Sequence, residues 1–202
     1  MNINGTIYNI LEWITKFAYI NLLWILFTVV GGILLGFFPA TIAMFAIIRK
    51  WLRGDTEIRL LTTFWNIYKK DFWKSNKLGL FIYAIACLVV IDIYFLQSHI
   101  NEQLVWIQIP LFAFMLLFLL FLFYIFPTFV HFDLKVIQLI KQAFLIMLIN
   151  PVHNFLMLVT LGSLYIVMSV IPALALIYAG SSYAFITMWI SLKSFSRVHK
   201  NE

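Results

Sequence analysis

From Phe17 to Ile48 the chain runs for 32 residues without a charged side chain. A straight helix of that length would measure about 48 Å at about 1.5 Å per residue, while the hydrocarbon core of a bilayer is about 30 Å thick. The run is too long for one simple crossing and too apolar for a soluble core. The rest of the chain follows suit, with 64% hydrophobic and 11% charged residues, where a soluble domain carries about 25% charged. The polar exterior that this excludes must be replaced by lipid. The sequence therefore predicts an all-α integral membrane protein, a single membrane domain over residues 1–202.

The first run poses a choice. Two passes split at Gly31-Gly32 would draw Glu12 and Lys16 into lipid. One span over 17–38, bent at Pro39 where the ring removes a backbone donor, avoids that cost and sends the remainder through Trp51 along the surface. Residues 1–16 then read as a retained interfacial helix, since Ile3, Ile7, Ile10, Leu11 and Ile14 recur opposite Asn2, Asn9 and Glu12, and no cleavage signal follows. Further spans are expected at 78–97, 104–126, 152–169 and 172–194, the last opening on Pro172 at a favourable first helical position. That makes about five transmembrane helices plus interfacial amphipathic helices.

Charge placement agrees with this layout. Thirteen of the fourteen Lys and Arg residues fall in the connectors after spans one and three or after span five, leaving Lys16 alone on the other side. By the positive-inside rule the cation-rich side is cytoplasmic, the N-terminus outside and the C-terminus inside. A weak internal repeat points the same way. Gly36-Phe37-Phe38-Pro39-Ala40-Thr41 resembles Tyr124-Ile125-Phe126-Pro127-Thr128, and each is followed by an amphipathic stretch, an asparagine (Asn76 or Asn150) and another span. A parallel two-span repeat requires spans one and three to share orientation.

Few residues carry chemistry. The basic amphipathic connector over 49–77 places Leu60, Leu61, Phe64, Trp65, Tyr68 and Phe72 at three- and four-residue steps, with Lys69, Lys70 and Lys74 on other faces. With Arg49, Lys50 and Arg53 it reads either as a docking surface for anionic lipid headgroups or a cytoplasmic partner, or as a charged elbow that fixes topology. Gly32, Gly36 and Ala40, spaced by four, suit close helix packing, within one chain or in a homo-oligomer, and Pro39 and Pro127 mark bends. Asp92 is the only acidic residue well inside a predicted span, and with Asn21 and the proline breaks it supports the alternative of a small solute or ion transporter or channel. His131, Asp133 and His153 lack the spacing of a metal site, and Asp133 reads as the N-cap of a connector helix. Cys87 sits in an apolar run without a polar companion, and no nucleophile elbow, zinc-binding helix or phosphate-cradling loop is present. Neither an enzyme, a cofactor nor nucleic acid binding is expected.

The pattern Asn21-Leu22-Leu23-Trp24, Gly32, Gly36, Pro39-Ala40-Thr41-x-Ala43, Arg49-Lys50-Trp51, Gly54, Phe64-Trp65-x-x-Tyr68-Lys69 and Asn76 resembles the YesL family, small multi-pass membrane proteins of Gram-positive bacteria classed as a domain of unknown function. The resemblance is specific over about residues 15–80. Members commonly occur beside genes for carbohydrate ABC transporters, sugar-binding lipoproteins and two-component sensors. It thus implies an accessory or regulatory partner in carbohydrate uptake or sensing, with an ABC transporter permease or a sensor kinase as the expected contact. It supplies no catalytic residues.

Overall fold

A computed structural model describes residues 3–98 and 105–198, in seven helices with no strand among them. These are α1 (Ile3–Val30), α2 (Leu34–Leu52), α3 (Leu60–Ser98), α4 (Val105–His131), α5 (Val136–Ile149), α6 (Pro151–Val170) and α7 (Pro172–Val198). All but α5 are long and apolar enough to cross a membrane, six candidate spans against the five expected. The spans expected at 152–169 and 172–194 correspond to α6 and α7, and the one at 104–126 to α4. Leu104, Glu102 and Lys200 lie outside the described residues.

The first run is where the expectation fails. The chain does not break at Pro39, which lies buried inside α2, and residues 3–16 are no separate interfacial helix but the first half of α1. The reversal occurs at Gly31-Gly32-Ile33, because a hairpin within three residues needs positive φ, which glycine supplies and proline cannot. Gly32 has φ 78°. Ile33 follows at φ 58°, ψ −71°, the centre of a γ-turn of the rare, strained hand closed by Leu34 N–H donating to Gly32 O at 2.7 Å. A β-branched residue there is strained, and Ile33 is 62% exposed, so little packing offsets the strain. Ile33→Gly is expected to raise stability by about 1 kcal/mol, after glycine's own entropy cost, read as a higher thermal midpoint in mild detergent. An unchanged or lower midpoint would count against the strain.

The hairpin sets the direction of everything else. Trp24 Nε1 donates to Thr41 Oγ1 at 3.0 Å and the Trp13 and Trp51 rings lie 5.7 Å apart, so α1 and α2 are antiparallel. Phe17 meets Phe185 on α7 at 5.2 Å between ring centroids. On α4, Leu122 O accepts from Tyr183 Oη, and His131 lies 4.5 Å from the Phe195 ring. Thus α2, α4 and α7 point one way, while α1, α3 and α6 point the other. Lys16 and its i,i+4 partner Glu12 stand at the end of the bundle that holds Trp51 and the α7 C-terminal turns. The N-terminal part of α1 and the C-terminal part of α7 share this end, which corrects the layout with termini on opposite faces.

The connector from Leu60 onward and the second predicted span are one 39-residue helix, α3. Its buried stripe, Phe64, Tyr68, Ser75, Leu78 and Ile82, keeps helical period while Lys69, Lys70 and Lys77 stay exposed. Gly79 lets the Phe38 ring lie against the α3 backbone, since a Cβ there would strike the ring. Before α3 the chain leaves α2 through a Schellman turn. Gly54, at φ 95°, donates to Trp51 O at 3.0 Å, and Asp55 N–H donates to Lys50 O at 3.1 Å. The two segments of the internal repeat meet in space: α2 and α4 run in the same direction, and the Phe38 and Phe126 rings stack at 6.4 Å and 28°. Asn76 and Asn150 also play the same local part, each donating from Nδ2 to the carbonyl four residues back, Phe72 O and Ile146 O, at 2.9 Å.

Candidate functional site: a charged cleft at the cation-rich end

Where α2 ends, α3 passes and α4 stops, a cleft of about 370 Å³ opens. Arg49 reaches it from α2, Lys70, Asp71 and Lys74 from α3, His131 from the end of α4 and Asp133 from just beyond it. Each arrives for a local reason. Arg49 is in the last turn of α2, where a cation complements the helix dipole. Lys70, Asp71 and Lys74 lie on the flank of α3 beside the buried stripe. Asp133 lies in the short link between α4 and α5.

Lys74 joins the two walls, its Nζ 3.2 Å from Asp133 Oδ1 and 5.1 Å from the centre of the Phe129 ring. Asp133 is therefore not the expected N-cap. Helix α5 begins at Val136, its cap is Lys135, and Gln138 Oε1 accepts from the Lys135 N–H at 3.2 Å. The pair is fully solvated on the Asp133 side, so it contributes little to stability. Arg49 Nε is buried and has no hydrogen-bond partner among the described residues. Three cations against two carboxylates leave the cleft positive, suited to a polar or anionic group on the surface of another molecule. Among the described residues no group of three His, Cys, Asp or Glu side chains is placed to hold a metal.

The cleft gathers Arg49, Lys70 and Lys74 from the residues picked out in the sequence, and leaves the others elsewhere. Lys50 and Arg53 stand exposed at the end of α2. Trp65 stacks on Tyr68 at 5.9 Å, and Lys69 caps its ring at 5.0 Å, on another face of α3. His153 is buried on α6, away from the cleft lining. Two participants went unread: Asp71, although it is the only carboxylate between Arg59 and Lys77, and Asp133 as an ion-pair partner.

The intramembrane candidates also separate. Asn21 is nearly fully buried and spends its amide on α7, donating from Nδ2 to Leu176 O at 2.9 Å and accepting the Ser181 N–H at 3.3 Å. It is a clasp between α1 and α7. Asp92 is half-buried near the far end of α3, and no ion pair among the described residues involves it. Gly36 serves the predicted close approach, because a Cβ on it would strike the carbonyl oxygens of Thr28 and Phe27, while Gly32 is a turn residue with open space around it. Ala40 and Pro39 are buried in α2, and Pro127 in α4, with both helices continuing through their prolines. Cys87 is exposed on the outer face of α3.

Much of the motif read in the sequence is now accounted for as contacts among α1, α2, α3 and α7. Comparison with known proteins agrees in extent. Residues 17–93, from α1 into α3, match the family described as a protein of unknown function, DUF624. Uncharacterized protein YteU of Bacillus subtilis (strain 168) is 35% identical over 187 residues, covering 92% of this chain and 83% of the relative. Uncharacterized protein YesL of the same organism is 31% identical over 194 residues, covering 94% and 90%, and uncharacterized protein YesV is 30% identical over 190 residues, covering 92% and 89%. No solved structure matches. With such identity sustained over nearly the whole length, the chain belongs to the DUF624 family of YesL-like membrane proteins.

Proposed function

We propose that this protein is a non-enzymatic accessory or regulatory partner in carbohydrate uptake or sensing, resident in the bacterial plasma membrane with its cation-rich end in the cytoplasm. The observation that carries the reading is the division of labour among its polar residues. Those within the bundle, such as Asn21 and Thr41, are consumed by contacts between helices, while the charged cleft lies at one end, where another protein's cytoplasmic surface can reach it. The positive-inside rule favours that end as cytoplasmic. The carbohydrate context rests on the resemblance to the YesL family. The partner class is an ABC transporter permease or a sensor kinase, recognised through an acidic surface facing Arg49, Lys70 and Lys74.

Purification in mild detergent from cells expressing the neighbouring sugar transporter tests this reading. The expected result is recovery of a transporter or sensor subunit with the wild-type chain, reduced at least severalfold when Arg49 and Lys70 are replaced by Gln. Recovery of the chain alone would reject it.

A further inference from the structure

The charged cleft has a neighbour of different character. A groove of about 580 Å³ runs between α3, α4 and α5, lined by Phe81, Ile85, Phe114, Leu117, Phe118 and Phe121 and closed below by α5, with Lys141 as its one charged lining residue. Next to it a wider recess of about 840 Å³ is lined by Lys70, Trp73, Lys74, Lys77 and Lys135 with a single carboxylate, Asp133. Ile137, 82% exposed, lines both, so the groove and the recess adjoin.

We infer that groove and recess together form a binding site for one anionic phospholipid, an acyl chain against the aromatic wall and the phosphate among Lys77, Lys135 and Lys141. Several features select this occupant. Asp133 is already paired with Lys74, which leaves Lys77 and Lys135 without matching charge in the recess. A soluble acidic partner would match the lysines and leave the aromatic groove bare. An apolar transmembrane helix would fill the groove and leave the lysines unmatched. Only an amphiphile with an anionic head answers both. The placement fits as well: α5, at 14 residues, is too short to span and joins two helices at the cation-rich end, so its upper side and the outer faces of α3 and α4 make a corner at headgroup depth. Trp73, 76% exposed at the recess, suits that interface.

Native mass spectrometry of the full chain, released from detergent containing equal phosphatidylglycerol and phosphatidylcholine, tests the site. The wild type is expected to retain phosphatidylglycerol over phosphatidylcholine by about fivefold or more, since each cation near a headgroup contributes about a fivefold factor. The triple variant Lys77→Gln, Lys135→Gln, Lys141→Gln, confined to exposed side chains, is expected to lose that preference, whereas Lys50→Gln, Arg53→Gln keeps it. Leu117→Trp, which fills the groove without touching charge, is expected to lower retention of both lipids. Equal retention of the two lipids by the wild type, a preference that survives the triple variant, or an equal loss in the Lys50 and Arg53 control would overturn the proposal. Unchanged retention in Leu117→Trp would overturn its acyl half.

Discussion

Gly36→Leu is expected to destabilise the protein by about 3 kcal/mol or more, enough to lower the yield of folded chain extracted in mild detergent severalfold. Gly36 is in the first turn of α2, and the carbonyl oxygens of Phe27 and Thr28 on α1 occupy the space a Cβ would need. Backbone atoms cannot rotate aside as a side chain can, so the two helices must separate. Separation loosens the Trp24–Thr41 hydrogen bond and the packing of Phe27 between α1 and α3, where it meets the Phe64 ring at 5.1 Å and its carbonyl accepts from Tyr68 Oη at 3.3 Å. Lipid supplies no hydrophobic drive to push the helices back, so lost contact is not recovered elsewhere. Gly162→Leu is the matched control, because nothing lies within 4 Å of its Cβ position on α6. It is expected to leave the unfolding free energy within about 0.5 kcal/mol of wild type. Equal losses in the two variants would show that glycine matters through backbone freedom and not through close approach.

How far the chain could be read in advance follows from what each signal depends on. The class came from composition, and the amphipathic first half of α3 from three- and four-residue spacing, both local. Pro172 marked the start of α7 for a local reason too. The hairpin was missed because the cost of Glu12 and Lys16 was reckoned for two separate charges. On the helix they form an i,i+4 ion pair, with Lys16 Nζ 5.4 Å from the Trp13 ring, in a cluster with Phe17 and Trp51 at the bundle end. Pairing and an end position remove most of that penalty. The cleft was half legible. Its cations lie in the connector, but Asp133 is 59 residues from Lys74 in sequence, and only the antiparallel pairing of α3 with α4 joins them.

A reporter fused to the N-terminus is expected to signal from the cytoplasm, as are reporters inserted at Gly54-Asp55 and fused to the C-terminus, with the α6–α7 turn at Ile171 reporting from the exterior. The five-span layout places the N-terminus outside, so the first reporter separates the two arrangements without ambiguity. Burial argues for the hairpin. In the five-span layout, residues 39–51 travel along the membrane surface, and a surface helix must show one polar, accessible face. Ile42, Ala43, Met44, Phe45, Ile47 and Ile48 are instead at most 1% exposed, on every side of α2. A helix apolar all round belongs inside a bundle. Here it is enclosed by α1 at Trp24, α3 at Gly79, α4 at Phe126 and α7 at Tyr183. Once α2 crosses, α1 must cross in the opposite sense, and Lys16 moves to the end that carries the other cations. The charge asymmetry then becomes stronger, since Lys16 joins Arg49, Lys50 and Lys193 at the same end. By the positive-inside rule that strengthens the cytoplasmic assignment. An exterior signal from the N-terminal reporter would mean that α1 does not cross, and would overturn both the hairpin and the shared end of the termini.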